Sequence, residues 1–141
     1  MKIPVILSIC GRQAYVDQEP DTIELVTEGT LEHRDGVWTI QYEESDLTGL
    51  QGVTTVFRVD SEKVELTRQG RLHSHMVFQK GIPHDSLYQM EFGALMITVC
   101  ANRIFVQLDE SGGIVDLVYN IEIEQTTAGE VDYHLEIRKK A

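Results

Sequence analysis

Apolar and polar residues alternate with a period of two along most of this 141-residue chain, and no other feature constrains the fold as strongly. The clearest case is residues 115–124. Its apolar positions are Val115, Leu117, Tyr119, Ile121 and Ile123, and the opposite face carries mostly acidic or amide side chains. Side chains alternate between the two faces of a strand, so each such segment predicts a β-strand. Nine or ten segments of this kind follow one another without a sustained helical period, which predicts an all-β protein.

The turns predict how these strands connect. Links between consecutive strand candidates are short, which favours hairpin neighbours and an antiparallel up-and-down meander. A long meander exposes two edges unless its end strands pair, so we expect a β-barrel of eight to ten strands, with a β-sandwich as the alternative. Asp35-Gly36 is a strong hairpin signal, Ala101-Asn102 is interpreted as a tight turn, and Gly29 predicts a bend or bulge. The length suits one domain over residues 1–141.

The net charge of the chain argues against partners that are themselves strongly anionic. The chain carries 12 Lys and Arg against 23 Asp and Glu, a net charge of −11. Nucleic acids and anionic lipids are bound through cationic side chains, so we expect neither a nucleic acid nor a membrane as partner. The apolar run at residues 3–10 is too short for a membrane span and lacks the small-residue cleavage site of a signal peptide. We therefore expect a cytoplasmic protein.

Cys10 and Cys100 are the two cysteines, and they lack the paired spacing of a metal or redox site. We interpret both as small apolar residues within strands, because free cysteine is commonly buried. A disulfide between them is the alternative if their strands are neighbours.

Two charged residues fall on strand faces that are otherwise apolar. Glu44 continues the face of Ile40 and Tyr42, and an acidic, glycine-closed loop follows at residues 46–49. On a later strand candidate, Arg68 continues the face of Leu66. If these faces point inward, two charges enter the barrel, and buried charges are rarely left unpaired.

We expect Arg68 to meet Glu44, or else Glu28 or Glu43 at a mouth of the barrel. Three interpretations follow from such a pair. It is a structural ion pair that closes one end of the barrel, or part of a lumen that binds a polar or anionic molecule through Arg68, or a catalytic pair.

His73 and His75 share a strand face, a spacing that can chelate a metal if His84 or a carboxylate supplies a third ligand. Position 79 holds Gln79, whereas a cupin-type site would want a glutamate there. We therefore interpret the two histidines as solvated strand residues and predict no metal. The chain also lacks a nucleophile elbow and a glycine-rich phosphate loop that leads into a helix, so no cofactor and no catalytic residue are predicted.

Several short motifs follow one another in a definite order along the chain. They are Glu28-Gly29, Tyr42-Glu43-Glu44-Ser45, Leu47-Thr48-Gly49, Leu66-Thr67-Arg68-Gln69-Gly70, and Tyr88 with Phe92-Gly93. In this order they resemble the YwiB-like family of small bacterial proteins of unknown function, over nearly the whole chain. The resemblance implies a calycin-type, lipocalin-like barrel and assigns no catalytic residue. The Gly-x-Trp signature of lipocalins is absent, because Trp38 falls in the third predicted strand.

Three functions are compatible with these features. The first is a binding protein that holds a small polar or anionic molecule in or at the mouth of the barrel, through Arg68, Glu44, Tyr42 and Glu28. The second is a structural or interaction protein whose barrel is filled by its own side chains. The third is an enzyme that uses Glu44, Arg68 and Tyr42 at the barrel mouth. The oligomeric state is left open.

Overall fold

A computed structural model describes residues 2–15, 17–45, 51–90 and 92–140, which form ten β-strands and no helix. The strands are β1 (Lys2–Tyr15), β2 (Asp21–Arg34), β3 (Val37–Glu43), β4 (Val53–Val59), β5 (Val64–Gly70), β6 (Ser74–Phe78), β7 (Pro83–Met90), β8 (Gly93–Asp109), β9 (Gly112–Ile123) and β10 (Thr126–Lys139). The predicted acidic loop at residues 46–49 lies outside the described residues. Within the described ranges, no helix has the length and hydropathy needed to cross a bilayer.

The strands form one antiparallel sheet, ordered β6-β5-β4-β3-β2-β1-β10-β9-β8-β7. Except for β6 and β7, neighbours in the chain are neighbours in the sheet, and the first and last strands of the chain also pair. The β1–β10 ladder runs without a register shift from Val5 opposite Lys139 to Tyr15 opposite Gly129. The predicted all-β antiparallel meander is therefore confirmed, as ten strands in a nearly closed barrel.

The ladder is interrupted between β6 and β7. Near one end of this seam, His73 and Gln89 exchange two backbone hydrogen bonds of 2.9 and 2.8 Å. Near the other end, the Gly81 N–H donates to the carbonyl of Ala101 on β8, at 2.9 Å. Pro83 begins β7 and has no backbone N–H to donate, which suits a strand with an incompletely paired edge. The seam therefore lies in the middle of the chain, and the ends of the chain are paired.

Alternate residues of the strands point inward and form one hydrophobic core, as Val5, Leu7 and Ile9 do on β1. The barrel has two different ends. At the end that carries the β2–β3, β4–β5 and β8–β9 hairpins, side chains such as Phe78 and Leu31 pack in the interior, and a groove lies beside the turn residues Asp60–Lys63. We call this the packed end. The end that carries the β1–β2, β3–β4, β5–β6, β7–β8 and β9–β10 hairpins contains a cavity, and we call it the cavity end.

Of the three turn and bend predictions, the hairpin at Asp35-Gly36 is confirmed and the turn at Ala101-Asn102 is wrong. Of the bend or bulge predicted at Gly29, the bulge is wrong. Asp35 and Gly36 have φ of 53° and 80°, as a two-residue type I′ hairpin requires. Gly29 shows no bulge and pairs in register with Val5. Residues 101–102 are not a turn, because β8 continues through them with a bulge opposite β9, which leaves one extra residue unpaired.

The structure separates the two cysteines. Cys10 lies on β1 and Cys100 on β8, with β10 and β9 between them, and both are free thiols. Both are half-buried on the outer face, since their neighbours Ile9 and Val99 point inward. The alternative of a disulfide is therefore wrong for this fold.

Candidate functional site

A cavity of about 370 Å³ lies inside the cavity end of the barrel. Every tyrosine of the chain lines it, namely Tyr15, Tyr42, Tyr88, Tyr119 and Tyr133. Arg68 and Glu44 also form part of its wall, and most of the remaining wall is aliphatic. The aliphatic residues include Ile9, Leu25, Leu66, Ile97, Leu117, Ile121 and Val131. The interior is therefore an apolar chamber with one charged and phenolic region.

Strand pairing brings Glu44 and Arg68 together. Thr55 on β4 lies opposite Tyr42 on β3 and opposite Arg68 on β5. The Glu44 N–H donates to the carbonyl of Val53 at 2.8 Å, so the β3–β4 pairing extends past the end of β3 and turns Glu44 inward. Of the partners considered for Arg68, Glu44 is therefore the one that it meets.

The contacts of this pair are unequal. Thr55 Oγ1 donates to Glu44 Oε2 at 2.5 Å, whereas Arg68 Nε lies 3.8 Å from the same oxygen. The second distance permits Coulombic attraction but exceeds a hydrogen bond. The side chain of Glu44 is 2% exposed and that of Arg68 is 18% exposed. The result is a mostly buried ion pair in which a neutral hydroxyl, not the cation, makes the short contact with the carboxylate.

Two buried side-chain atoms have no hydrogen-bond partner among the described residues, and they are Arg68 Nε and Ser74 Oγ. Arg68 and Ser74 are directly opposite each other in the β5–β6 ladder and lie side by side on the inner face. An unsatisfied buried polar group costs about 1–3 kcal/mol. These two atoms lie at adjacent positions, and no described residue satisfies either of them.

The phenols near Arg68 are held in their neutral form. The hydroxyls of Tyr42 and Tyr133 lie 3.2 Å apart across the barrel. Burial, assisted by the Glu44 charge, raises the pKa of Tyr42 to about 12. Burial also raises the pKa of Tyr119 and Tyr133 above the ordinary phenol value. At neutral pH these groups can therefore donate hydrogen bonds into the cavity.

The guanidinium of Arg68 keeps its charge in this setting. Burial by itself lowers the pKa of Arg68, but Tyr133, Tyr42 and Glu44 act in the opposite direction, and the net pKa lies above the ordinary value. The cavity is therefore lined by a permanent cation.

The predicted site residues divide into two groups. Arg68, Glu44 and Tyr42 come together at the cavity. Glu28 lies on the outer face of β2, where its carboxylate accepts a hydrogen bond of 2.8 Å from Lys140 Nζ, so Glu28 does not reach the cavity as predicted. Glu43 also points outward, and it accepts hydrogen bonds from Thr54 Oγ1. The physical reason is the alternation of β2 and β3, which turns both carboxylates away from the interior.

The sequence interpretation missed Ser74 and four of the five cavity tyrosines. Tyr119 and Tyr133 belong to the inward rows of clearly alternating strands, so their inward direction could have been read from the pattern. Their meeting with Arg68 depends on the register of β9 and β10, which no short sequence signal specifies.

The three histidines considered for a metal site do not converge on one point. His73 and His75 are exposed on the outer face, and His75 Nε2 lies 3.7 Å from Glu65 Oε1. His84 Nε2 forms a hydrogen bond of 2.7 Å with Gln79 Oε1. Within the part of the chain that the structure describes, no three His, Cys, Asp or Glu side chains are placed to share one metal ion.

Comparison with known proteins gives one family and one fold match. The family model described as "Domain of unknown function (DUF1934)" matches residues 7–137. The crystal structure of ywiB protein from Bacillus subtilis superposes with a TM-score of 0.86 at 22% identity, over 99% of this chain and 94% of that one. The resemblance found in the sequence motifs is thereby confirmed. No curated protein matches the chain.

Proposed function

We propose that this chain, which belongs to the DUF1934 family, is a binding protein that holds a small amphipathic molecule in the cavity end of its barrel. In this proposal an anionic or polar head group contacts Arg68, and an apolar body lies against the aliphatic wall. The volume of about 370 Å³ falls within the range of about 300–1,000 Å³ that small-molecule sites occupy.

The unsatisfied atoms of Arg68 and Ser74 carry this proposal. Both are donors, a charged N–H and a hydroxyl, at directly opposed positions of β5 and β6. Arg68 lines the cavity, and Ser74 lines a neighbouring groove that Arg68 also borders. A carboxylate presents two acceptor oxygens that can take both hydrogen bonds, and charge-assisted bonds of this kind are among the stronger ones in proteins. The hydroxyls of Tyr42 and Tyr133 share one hydrogen bond, so this pair of neutral phenols adds at most one further donor nearby.

Glu44 has a supporting role in this proposal. Its carboxylate lies 3.8 Å from Arg68 Nε and is held by Thr55, so it compensates the buried cation without occupying the Nε–H. A guanidinium compensated in this way can remain in a low-dielectric interior while one donor stays available to a ligand.

The test uses two probes with the same body and different heads, naphthaleneacetic acid and naphthaleneacetamide. Fluorescence titration of the wild type should give a Kd for the acid about tenfold lower than for the amide, a difference of about 1.4 kcal/mol. Arg68→Gln should abolish this preference. Arg58→Gln removes an exposed arginine from the outer face of β4 and should leave it unchanged.

Equal affinities for the two probes in the wild type would contradict the anionic head group, and no binding of either would contradict the cavity as a binding site. Native mass spectrometry of protein purified from its own cells should show a reproducible small adduct. That adduct should be absent from Arg68→Gln prepared in the same way.

The other two functions predicted from the sequence have less support. A barrel filled by its own side chains describes the packed end but not the cavity end. An enzyme that uses Glu44, Arg68 and Tyr42 would need a nucleophile or base directed at a substrate, whereas Glu44 is engaged with Thr55 and Arg68. A cytoplasmic location is part of our proposal, and the two unpaired thiols support it.

A further inference from the structure

A second cluster of reactive side chains lies on the outer face of the barrel, away from the cavity. Cys10 on β1 is directly opposite His134 on β10, and His134 is directly opposite Asp116 on β9. Directly opposed residues of an antiparallel pair have Cβ atoms about 4.5–5.5 Å apart. A thiol, an imidazole and a carboxylate therefore form a row across three adjacent strands.

The imidazole in this row is oriented by the carboxylate. His134 Nδ1 forms a hydrogen bond with Asp116 Oδ1. A carboxylate only accepts, so Nδ1 carries the proton of this bond, and in the neutral ring Nε2 is left with the lone pair. A nucleophile, a base and a group that orients the base are the three parts of an activated thiol.

These three residues line one groove, of about 470 Å³, with Arg12, Arg103 and Asp132. Arg12 lies two residues from Cys10 on the same strand face. The other groups that face Cys10 from neighbouring positions are Ser8 on its own strand and Glu24 directly opposite on β2. Arg12 and His134 place a guanidinium and an imidazole next to Cys10, and Glu24 places a carboxylate directly opposite it on β2. The guanidiniums of Arg12 and Arg103 also give the groove two groups that attract carboxylates.

We propose that Cys10, His134 and Asp116 form a thiol–disulfide exchange site that accepts low-molecular-weight disulfides bearing carboxylates. His134 Nε2 takes the proton of the Cys10 thiol, and the thiolate attacks one sulfur of the disulfide. A new S–S bond forms to Cys10 as the original S–S bond breaks, and the departing thiolate takes the proton back from His134. The products are a mixed disulfide at Cys10 and one free thiol. Asp116 is a positioning residue, because it acts only through His134.

The chain contains a matched internal control for this site. Cys100 is also a half-buried, free thiol on the outer face. Its direct neighbours are Pro83 on β7 and Asn120 on β9, neither of which titrates. Any difference in reactivity between the two cysteines of one molecule therefore reports the surroundings of the thiols.

The experiment measures the rates of alkylation by iodoacetamide at Cys10 and Cys100 in the same folded protein, by peptide mass spectrometry across a range of pH. At neutral pH, Cys10 should react about tenfold faster than Cys100, because only Cys10 lies directly opposite a histidine. His134→Gln should remove this advantage. Asp116→Asn should move the pH at which the Cys10 rate is half-maximal. Neither variant should change the rate at Cys100, and circular dichroism should show an intact fold for both.

Glutathione disulfide is the second probe, read as a mixed disulfide on the intact protein. The adduct should form on the wild type and on Cys100→Ser, and should be absent from Cys10→Ser. Equal alkylation rates at the two cysteines of the wild type would overturn the proposal without any variant. A Cys10 rate that is unchanged by His134→Gln would overturn the role of the imidazole.

Discussion

A guanidinium inside a barrel is stable only where another group compensates its charge. Arg68 meets this condition through Glu44, whose own side chain is almost completely buried. Thr55 holds Glu44 by a hydrogen bond, so three neighbouring strands contribute to one polar cluster. Removal of one charge leaves the other buried without compensation, and this penalty is larger than the net value of the pair itself.

We therefore expect Arg68→Met to lower the free energy of unfolding by about 3–5 kcal/mol, because Glu44 loses its counter-charge. Urea denaturation followed by circular dichroism measures this loss. Arg58→Met, on the exposed outer face of β4, is the matched control and should change stability by less than about 0.5 kcal/mol. The double variant Arg68→Met with Glu44→Gln should recover part of the loss. A loss of less than about 1 kcal/mol in Arg68→Met would show that the pair is not structurally important.

At the scale of the strands, β2 packs closely between β1 and β3 because Gly29 has no side chain. Gly29 lies between β1 and β3, and a Cβ added there would lie 2.5 Å from the Gln41 carbonyl oxygen and 2.9 Å from Leu7 Cδ1. Both distances are shorter than van der Waals contact. Gly29 thus permits a close approach of three strands. It pairs in register with both neighbouring strands, so the bulge that the sequence offered as one possibility is not formed.

Gly29→Ala should consequently lower the free energy of unfolding by about 1–3 kcal/mol, as overpacking of a core does. Gly11→Ala is the control on the neighbouring strand, because a Cβ there meets its nearest atom, Tyr133 Cδ2, at an ordinary 3.7 Å. At that position the loss of unfolded-chain entropy should leave stability unchanged or raised by up to about 1 kcal/mol. Thermal melts of the two variants, compared side by side, test the prediction. It is wrong if both variants lose the same stability.

The whole molecule is a ring of strands, and its incompletely paired seam lies between β6 and β7, away from the chain ends. Closure between β1 and β10 covers two edges that would otherwise be open to pairing with another chain. Arg68 and Ser74, whose Nε and Oγ atoms have no hydrogen-bond partner among the described residues, lie on β5 and β6 beside this seam. Burial of charge and of several phenols inside the ring makes global stability sensitive to alkaline pH.

Tyr42 gives this sensitivity a definite direction. Its pKa is raised from 10.0 to about 12 by burial, so the unfolded chain loses the phenolic proton at lower pH than the folded chain does. The stabilisation is therefore fully present below pH 10 and is lost as pH rises through about 12. Between pH 10 and about 12, each such tyrosine should lower the free energy of unfolding by about 1.4 kcal/mol per pH unit. Tyr119 and Tyr133, whose pKa values are also raised, should add to the slope.

Urea denaturation from pH 8 to about pH 11 measures this decline in the free energy of unfolding. Tyr42→Phe removes one titrating group and should make the decline shallower, while at pH 8 it loses the contacts of the hydroxyl with Tyr133 and Glu44. An identical slope in the wild type and in Tyr42→Phe would mean that Tyr42 titrates as an exposed phenol does.

The two-residue alternation was sufficient to predict the strands, because side-chain direction along a strand is a local property. The same alternation predicted that Glu44 and Arg68 point inward and that Tyr42 lies beside them. The hairpin at Asp35-Gly36 was predictable for an equally local reason, since few residues adopt positive φ at low cost. These features depend on residues close together in the chain.

Features that depend on long-range pairing were decided only by the tertiary structure. The sequence could not show that Glu28 meets Lys140 on the outer face, or that Ser74 lies next to Arg68 with no hydrogen-bond partner among the described residues. Nor could it show that Cys10, His134 and Asp116 form one row across β1, β10 and β9. Local alternation determines which face a residue occupies, but only the register between strands that are distant in sequence determines which residues share that face, and register is set by the packing of the complete barrel.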